Sequence, residues 1–335
     1  METQKRSTVF GAALILFTLL LRLVDGTLPG YAIRPEQKPT LSLPGPAISA
    51  MVPTLLPTIP SLPPTTLPET VPPEPTSPQA PPGYSFTQAD VAYLHLRTAS
   101  DCGYTPALSA LLLQALDWQL QADAPTVLIY HSHASESYTP TPGQTYTEQS
   151  HRHTTDTAYN MVAVGDALAQ LLEEAGISVL HDRQIHDYPS YSSAYTNSHR
   201  SVQAYLDAYP SIQLVLDLHR DAAYHTDGSD WASYVCIDGQ PAAQLMLVVG
   251  TDYLGDFHPQ WQDNLSVALK LQVLLEKQVP GITRSTTLRG YRFNQELSRG
   301  ALLIEVGSTG NTLEEIFRTL PVLADAIAAL AQGSG

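Results

Sequence analysis

The chain has 335 residues, 43% hydrophobic and 15% charged, with 17 Lys and Arg against 32 Asp and Glu for a formal net charge of −15. That length holds one large domain or two modest ones, with enough apolar residues for a buried core. No run of five or more Lys or Arg occurs, which argues against a nucleic-acid partner, since phosphate binding needs basic groups to displace counterions.

The chain opens with Lys5 and Arg6, then an apolar run from Val9 to Leu21, then Arg22. A basic start followed by an apolar stretch is the pattern of a secretory signal. Thr8 to Val24 is near the short limit for a spanning helix, and no A-x-A cleavage site follows. Residues 1–26 are therefore expected to be a membrane anchor, with a cleaved signal segment as the alternative, Lys5 and Arg6 being cytoplasmic and the rest outside the cell membrane.

Residues 27–83 carry 17 of the 27 prolines. Proline lacks the backbone donor and biases its predecessor to extended geometry, so this segment reads as a disordered tether of about 3 Å per residue where polyproline II forms. Residues 84–335 then form the expected catalytic domain.

In that domain, 91–96 and 108–120 have helical spacing. Thr126–Tyr130 (TVLIY) reads as a strand, 157–175 as a helix stopped by Gly176, and Ile177–Leu180 as a strand. A helix over 193–208 precedes strands at Ile212–Leu218 (IQLVLDL) and Leu245–Val249 (LMLVV). A helix over 264–277, a strand at Ala301–Val306 (ALLIEV) and a helix over 313–330 complete the chain. Alternation of this kind predicts an α/β fold, a largely parallel sheet with helices on both faces.

In such sheets reactive groups gather at the carboxyl ends of strands. TVLIY runs into His131-Ser132-His133-Ala134-Ser135-Glu136, LVLDL into His219-Arg220-Asp221, and Glu305 sits inside LLIEVG. A carboxylate closing an apolar strand must be paired or solvated, and a shared site explains all three. Cys102 and Cys236 are too few for a thiolate zinc site; they pair with each other or are two small buried side chains.

Metal ligation therefore falls to His and carboxylates. His133 and Glu136 form an H-x-x-E pair, and His219 adds a third ligand, leaving a fourth zinc position open for water. Glu305 is the expected general base. His131 rivals His133, and Glu148 or Asp156 rivals Glu136. Arg220 either holds a substrate carboxylate or neutralises Asp221 or Glu305. The remaining histidines read as surface or loop residues. Zinc carboxypeptidases are similar in the order of these groups.

The stretches VLIYHSHASESYTP, YNMVAVGDALAQLLEEAGI, DYPSYSSAY, LVLDLHRDA, LMLVVGTD and FNQELSRGALLIEVGSTGNTLEE together resemble the stage II sporulation protein P family. The resemblance covers nearly all of residues 125 to 320. It implies a zinc amidase/carboxypeptidase-like fold and an N-acetylmuramoyl-L-alanine amidase of peptidoglycan, possessing endopeptidase activity as well. It also implies action in forespore engulfment beside a lytic transglycosylase and a membrane scaffold protein. The family histidines fall on the His131–His133 segment and His219, and its glutamate on Glu305. Ser308 stands where the family commonly has a second Gly. Two other functions fit the residues: a zinc carboxypeptidase or endopeptidase on wall peptides, and a non-catalytic tethered wall-binding protein.

Overall fold

The computed structural model describes residues 84–116, 120 and 123–331. The expected membrane segment and Pro-rich tether lie outside the described residues, among which no helix is long and apolar enough to cross a membrane.

The strands are β1 (Leu96–Thr98), β2 (Val127–Tyr130), β3 (Val179–His181), β4 (Leu214–Asp221), β5 (Tyr234–Ile237), β6 (Gln240–Ala243), β7 (Leu245–Val249), β8 (Thr286–Leu288) and β9 (Ala301–Ser308). The α-helices are α1 (Leu108–Leu113), α2 (Met161–Glu174), α3 (Ala194–Ala208), α4 (Trp261–Gln278) and α5 (Leu313–Ala331). Seven strands form one sheet in the order β1-β8-β7-β9-β4-β2-β3, while β5 and β6 make a separate hairpin.

The sheet is largely parallel, as expected. Its one antiparallel seam lies between β7 and β9. The seam reverses one half, so β7, β8 and β1 begin at the edge where β2, β4 and β9 finish.

Side-chain alternation sorts the strands between two faces. Val127, Ile129, Leu214, Leu216, Leu218, Leu302 and Ile304 point into a large core shared with α2, α4 and α5. The opposite face carries Leu128, Tyr130, Val215 and Ala301, covered by Val202 of α3. Farther along that face Met246, Val248 and Leu303 form a small cluster with Phe293.

Local chemistry sets the helix ends. α2 starts four residues later than its apolar spacing implies, because the Asn160 side chain accepts the Val162 N–H at 3.0 Å and caps it. The chain leaves α2 through Gly176 at φ +81°, a left-handed turn that glycine adopts without steric cost. The helical readings of 91–96 and 108–120 fail in part: Gln88–Tyr93 is a 3-10 turn, Leu96 enters β1, and α1 ends at Leu113.

Candidate active site

The ends of β2 and β4 deliver an imidazole cluster. His219 and His133 lie with ring centroids 5.4 Å apart, and both are buried. Asp217 precedes His219 by two residues on β4, so the two side chains share a face, and Asp217 Oδ1 stands 3.0 Å from His219 Nε2. Ser132 Oγ also contacts that nitrogen at 2.7 Å, and the Ser132 N–H donates to Asp217 at 2.8 Å.

With Nε2 engaged, His219 turns Nδ1 towards Glu136 Oε2 at 3.5 Å. Burial works against a charged His219, but Asp217, Glu136 and Glu305 outweigh it and lift its pKa to about 9. Glu136 is held by the turn bond from its own N–H to the His133 carbonyl, and it accepts the Arg220 N–H at 2.9 Å. Burial favours its neutral form, yet His219, Arg220 and His133 hold its pKa below the usual carboxylate range.

His133 faces Asp187 Oδ2 across 3.8 Å, and its Nδ1 is a buried atom without a hydrogen-bond partner. Tyr191 stacks on its ring at 4.3 Å and Tyr195 meets it edge-on at 5.4 Å, so the turn before α3 and the first turn of α3 form an aromatic wall. Glu305 on β9 sits beside His219 on β4 in parallel register and is buried. Glu305 also lines a cavity of about 250 Å³ that continues over β7 and β8. Among the described residues, no group of three or more His, Cys, Asp or Glu stands at metal-holding geometry. Each imidazole faces a neighbouring carboxylate instead.

The structure thus brings together His133, Glu136, His219 and Glu305, and leaves the rivals elsewhere. His131 points to the other face, its Nδ1 3.0 Å from the Leu218 carbonyl and its Nε2 2.9 Å from His181 Nε2. Burial, reinforced by His181, pushes its pKa down to about 3. Glu148 pairs with Arg152 at 3.0 Å, and Asp156 is exposed at the start of a turn.

Arg220 is buried behind Glu136 and donates from Nη2 to the Arg152 carbonyl at 3.1 Å. Asp221 pairs not with Arg220 but with Arg284, at 2.8 Å. Cys102 is buried and Cys236 exposed, both as free thiols. Ser308, at the position where glycine was expected, is buried, and its hydroxyl donates to the Trp231 carbonyl at 2.6 Å.

Asp217, Asp187 and His153 do not stand out in the sequence. The D-L-H spacing on β4 is a usable signal for Asp217, since residues two apart on a strand share a face. His153 bonds Ser135 Oγ at 2.9 Å and bridges to the Glu136 backbone, and nothing in its local sequence marks it. His186 and His258 lie in loops, as read, but are buried there.

The family profile of Stage II sporulation protein P (SpoIIP) matches residues 75–328. The chain belongs to the stage II sporulation protein P family. Stage II sporulation protein P of Bacillus subtilis (strain 168) is 30% identical over 221 residues, which are 62% of this chain and 51% of the relative. This SpoIIP-family chain therefore spans about half the length of the curated relative it matches.

Among solved structures it is similar to the N-acetylmuramoyl-L-alanine amidase AmiC2 of Nostoc punctiforme, at 11% identity and TM-score 0.35, over 61% of this chain and 93% of that one. It is also similar to the N-acetylmuramoyl-L-alanine amidase from Clostridium difficile 630, at 18% identity and TM-score 0.36, over 61% and 93%.

Proposed function

We propose that this SpoIIP-family chain is a zinc-dependent hydrolase of peptidoglycan, cutting as an N-acetylmuramoyl-L-alanine amidase. The observation that carries the reading is the carboxylate grip on His219. Asp217 fixes Nε2, Nδ1 is turned to Glu136, and Glu305 lies beside the same ring. Metal-binding histidines characteristically give their second nitrogen to a carboxylate, which fixes tautomer and orientation.

The residues fit zinc by three measures. The donor set of two imidazoles and a carboxylate is the set of a catalytic zinc. Ligand atoms around a tetrahedral ion at about 2.0–2.1 Å stand roughly 3.3 Å apart, close to the 3.5 Å between His219 Nδ1 and Glu136 Oε2. The buried Nδ1 of His133 lacks a hydrogen-bond partner, and a cation would satisfy it.

His133, Glu136 and His219 would hold the ion. When bound, zinc supplies Lewis acidity and brings the pKa of a coordinated water to about 7. Glu305 takes the proton of the attacking water and returns it to the leaving amide nitrogen. Arg220 keeps Glu136 anionic from behind, and Tyr191 and Tyr195 shield the His133 side from solvent. The anchor tethers this chemistry outside the membrane, where wall peptidoglycan is the substrate and a lytic transglycosylase and membrane scaffold of forespore engulfment are the partners.

Purified sacculi treated with the chain, with and without chelator, test the reading. Release of intact stem peptides that requires zinc supports an amidase. Trimmed or un-cross-linked stems by mass spectrometry would assign the same centre to a peptidase, and no product with zinc restored would leave a wall-binding role. Deleting residues 1–26 is expected to leave hydrolysis intact in solution and to disperse the protein from the membrane.

A further inference from the structure

The cavity beside Glu305 has a composition that proton transfer does not explain. Its walls include Arg97, Arg284 and Arg289, in a chain with only 17 Lys and Arg against 32 acidic residues. Its floor is Met246, Val248, Leu303 and Phe293, on the part of the sheet face beyond α3. The acidic residues of the lining are Glu305 and Asp221, so the arginines outnumber them.

The arginines are not equally occupied. Arg289 pairs with Asp101 at 2.8 Å and stacks on Phe293. Arg284 gives Nη1 to Asp221, while its Nε and Nη2 are buried without a hydrogen-bond partner. Arg97 is exposed and donates to Thr287 Oγ1 at 3.2 Å. Nε and Nη2 lie on one edge of a guanidinium, the edge that grips a carboxylate with two parallel bonds. Unsatisfied buried donors are costly, and a ligand oxygen would relieve them.

We propose that this cavity is the subsite for the peptide portion of the substrate, with Arg284 and Arg97 binding a peptide carboxylate and the apolar floor taking small aliphatic side chains such as alanine methyls. The inference rests on Glu305 marking the point of cleavage. Peptide lying across β7 and β8 would then enter the reaction from the side opposite Tyr191. Asp221 accepts from Arg284 Nη1 at 2.8 Å and leaves the Nε–Nη2 edge for the ligand.

The test is calorimetric binding to the full chain carrying Glu305→Gln, which prevents turnover. The probe is the tetrapeptide Ala-γ-Glu-Lys-Ala, as the free acid and as the form amidated at both carboxylates. The acid should bind about tenfold tighter or more, as expected for a charge-assisted pair. The preference should shrink in Arg97→Gln and vanish when Arg284→Gln is added. Equal affinity for the two peptides, no measurable binding of the acid, or a preference that survives the double variant would overturn the subsite.

The comparison of acid and amide on the parent protein holds even if Arg284→Gln does not fold. Acid preference without sacculus hydrolysis would sink the proposed reaction alone. Hydrolysis without acid preference would sink the subsite alone.

Discussion

Asp217 and His219 occupy one face of β4, two residues apart, with a carboxylate oxygen 3.0 Å from the imidazole Nε2. The strand itself thus aligns the ring: β-geometry puts the acid under the histidine, and the Ser132 backbone N–H steadies the acid from β2. Replacing Asp217 by Asn keeps the shape and removes the charge. The expected result is a folded protein whose zinc affinity falls about 10- to 100-fold. Competition with a chromogenic chelator measures it, and unchanged affinity would mean that Asp217 does not tune the ring for metal.

Glu305→Gln separates proton transfer from metal binding. Turnover is expected to fall about a hundred- to ten-thousand-fold, while bound zinc and the unfolding midpoint stay within error of the parent. A variant with full activity would show that another group takes the proton.

Gly165→Ala probes the histidine pair behind β2. A Cβ there would fall 2.6 Å from His131 Nε2 and closer still to His181. Alanine favours a helix over glycine by about 1 kcal/mol, but overpacking costs about 1–3 kcal/mol, and the buried rings have little room to yield. A net loss of about 1–2 kcal/mol is expected from urea unfolding. A gain would mean that His181 swings aside freely.

Asp90 supplies a pH signature outside the candidate site. Burial raises its pKa, but Lys277 at 2.6 Å, with Thr87 and Tyr84, brings it down to about 2. A carboxylate depressed in the folded state stabilises above its unfolded pKa of about 3.9, and that stability is lost as pH falls towards 2. Because Lys277 is partly exposed, the contribution is about 1 kcal/mol. Asp90→Asn should lower stability at pH 7 by that amount and flatten the loss between pH 4 and 2. Parallel acid titrations of parent and variant, followed by circular dichroism, would contradict this.

The long elements were legible because each writes a period into the chain: β4 and β9 as apolar runs, α2 and α5 as recurring leucines and alanines. β1 and β8 were not, since three residues make no period, and each is completed by pairing with distant segments. The reversed direction of β7 was equally hidden, because an apolar strand reads the same in either sense. At the candidate site, His219 and Glu305 stood out as polar groups in apolar strands. His131 was separable from His133 by alternation: it continues the Val127–Ile129 face, which is the helix-packed core. Asp187 and Tyr191 lie in the DYPSYSSAY stretch that marks the family, but their place beside His133 came only through folding, since the loop that carries them is tied to the segment after β2 by Ser135.

The seam between β7 and β9 has an evolutionary consequence. On one side of it the cleft is edged by segments that follow strands, and on the other by a segment that precedes one, with Arg289 and Phe293 after β8 completing the lining. Arg284 belongs to the second set, and the imidazoles belong to the first. Substitutions ahead of β8 can therefore reshape the arginine-lined cavity without shifting the imidazoles at the ends of β2 and β4, so the two halves of the cleft can change independently.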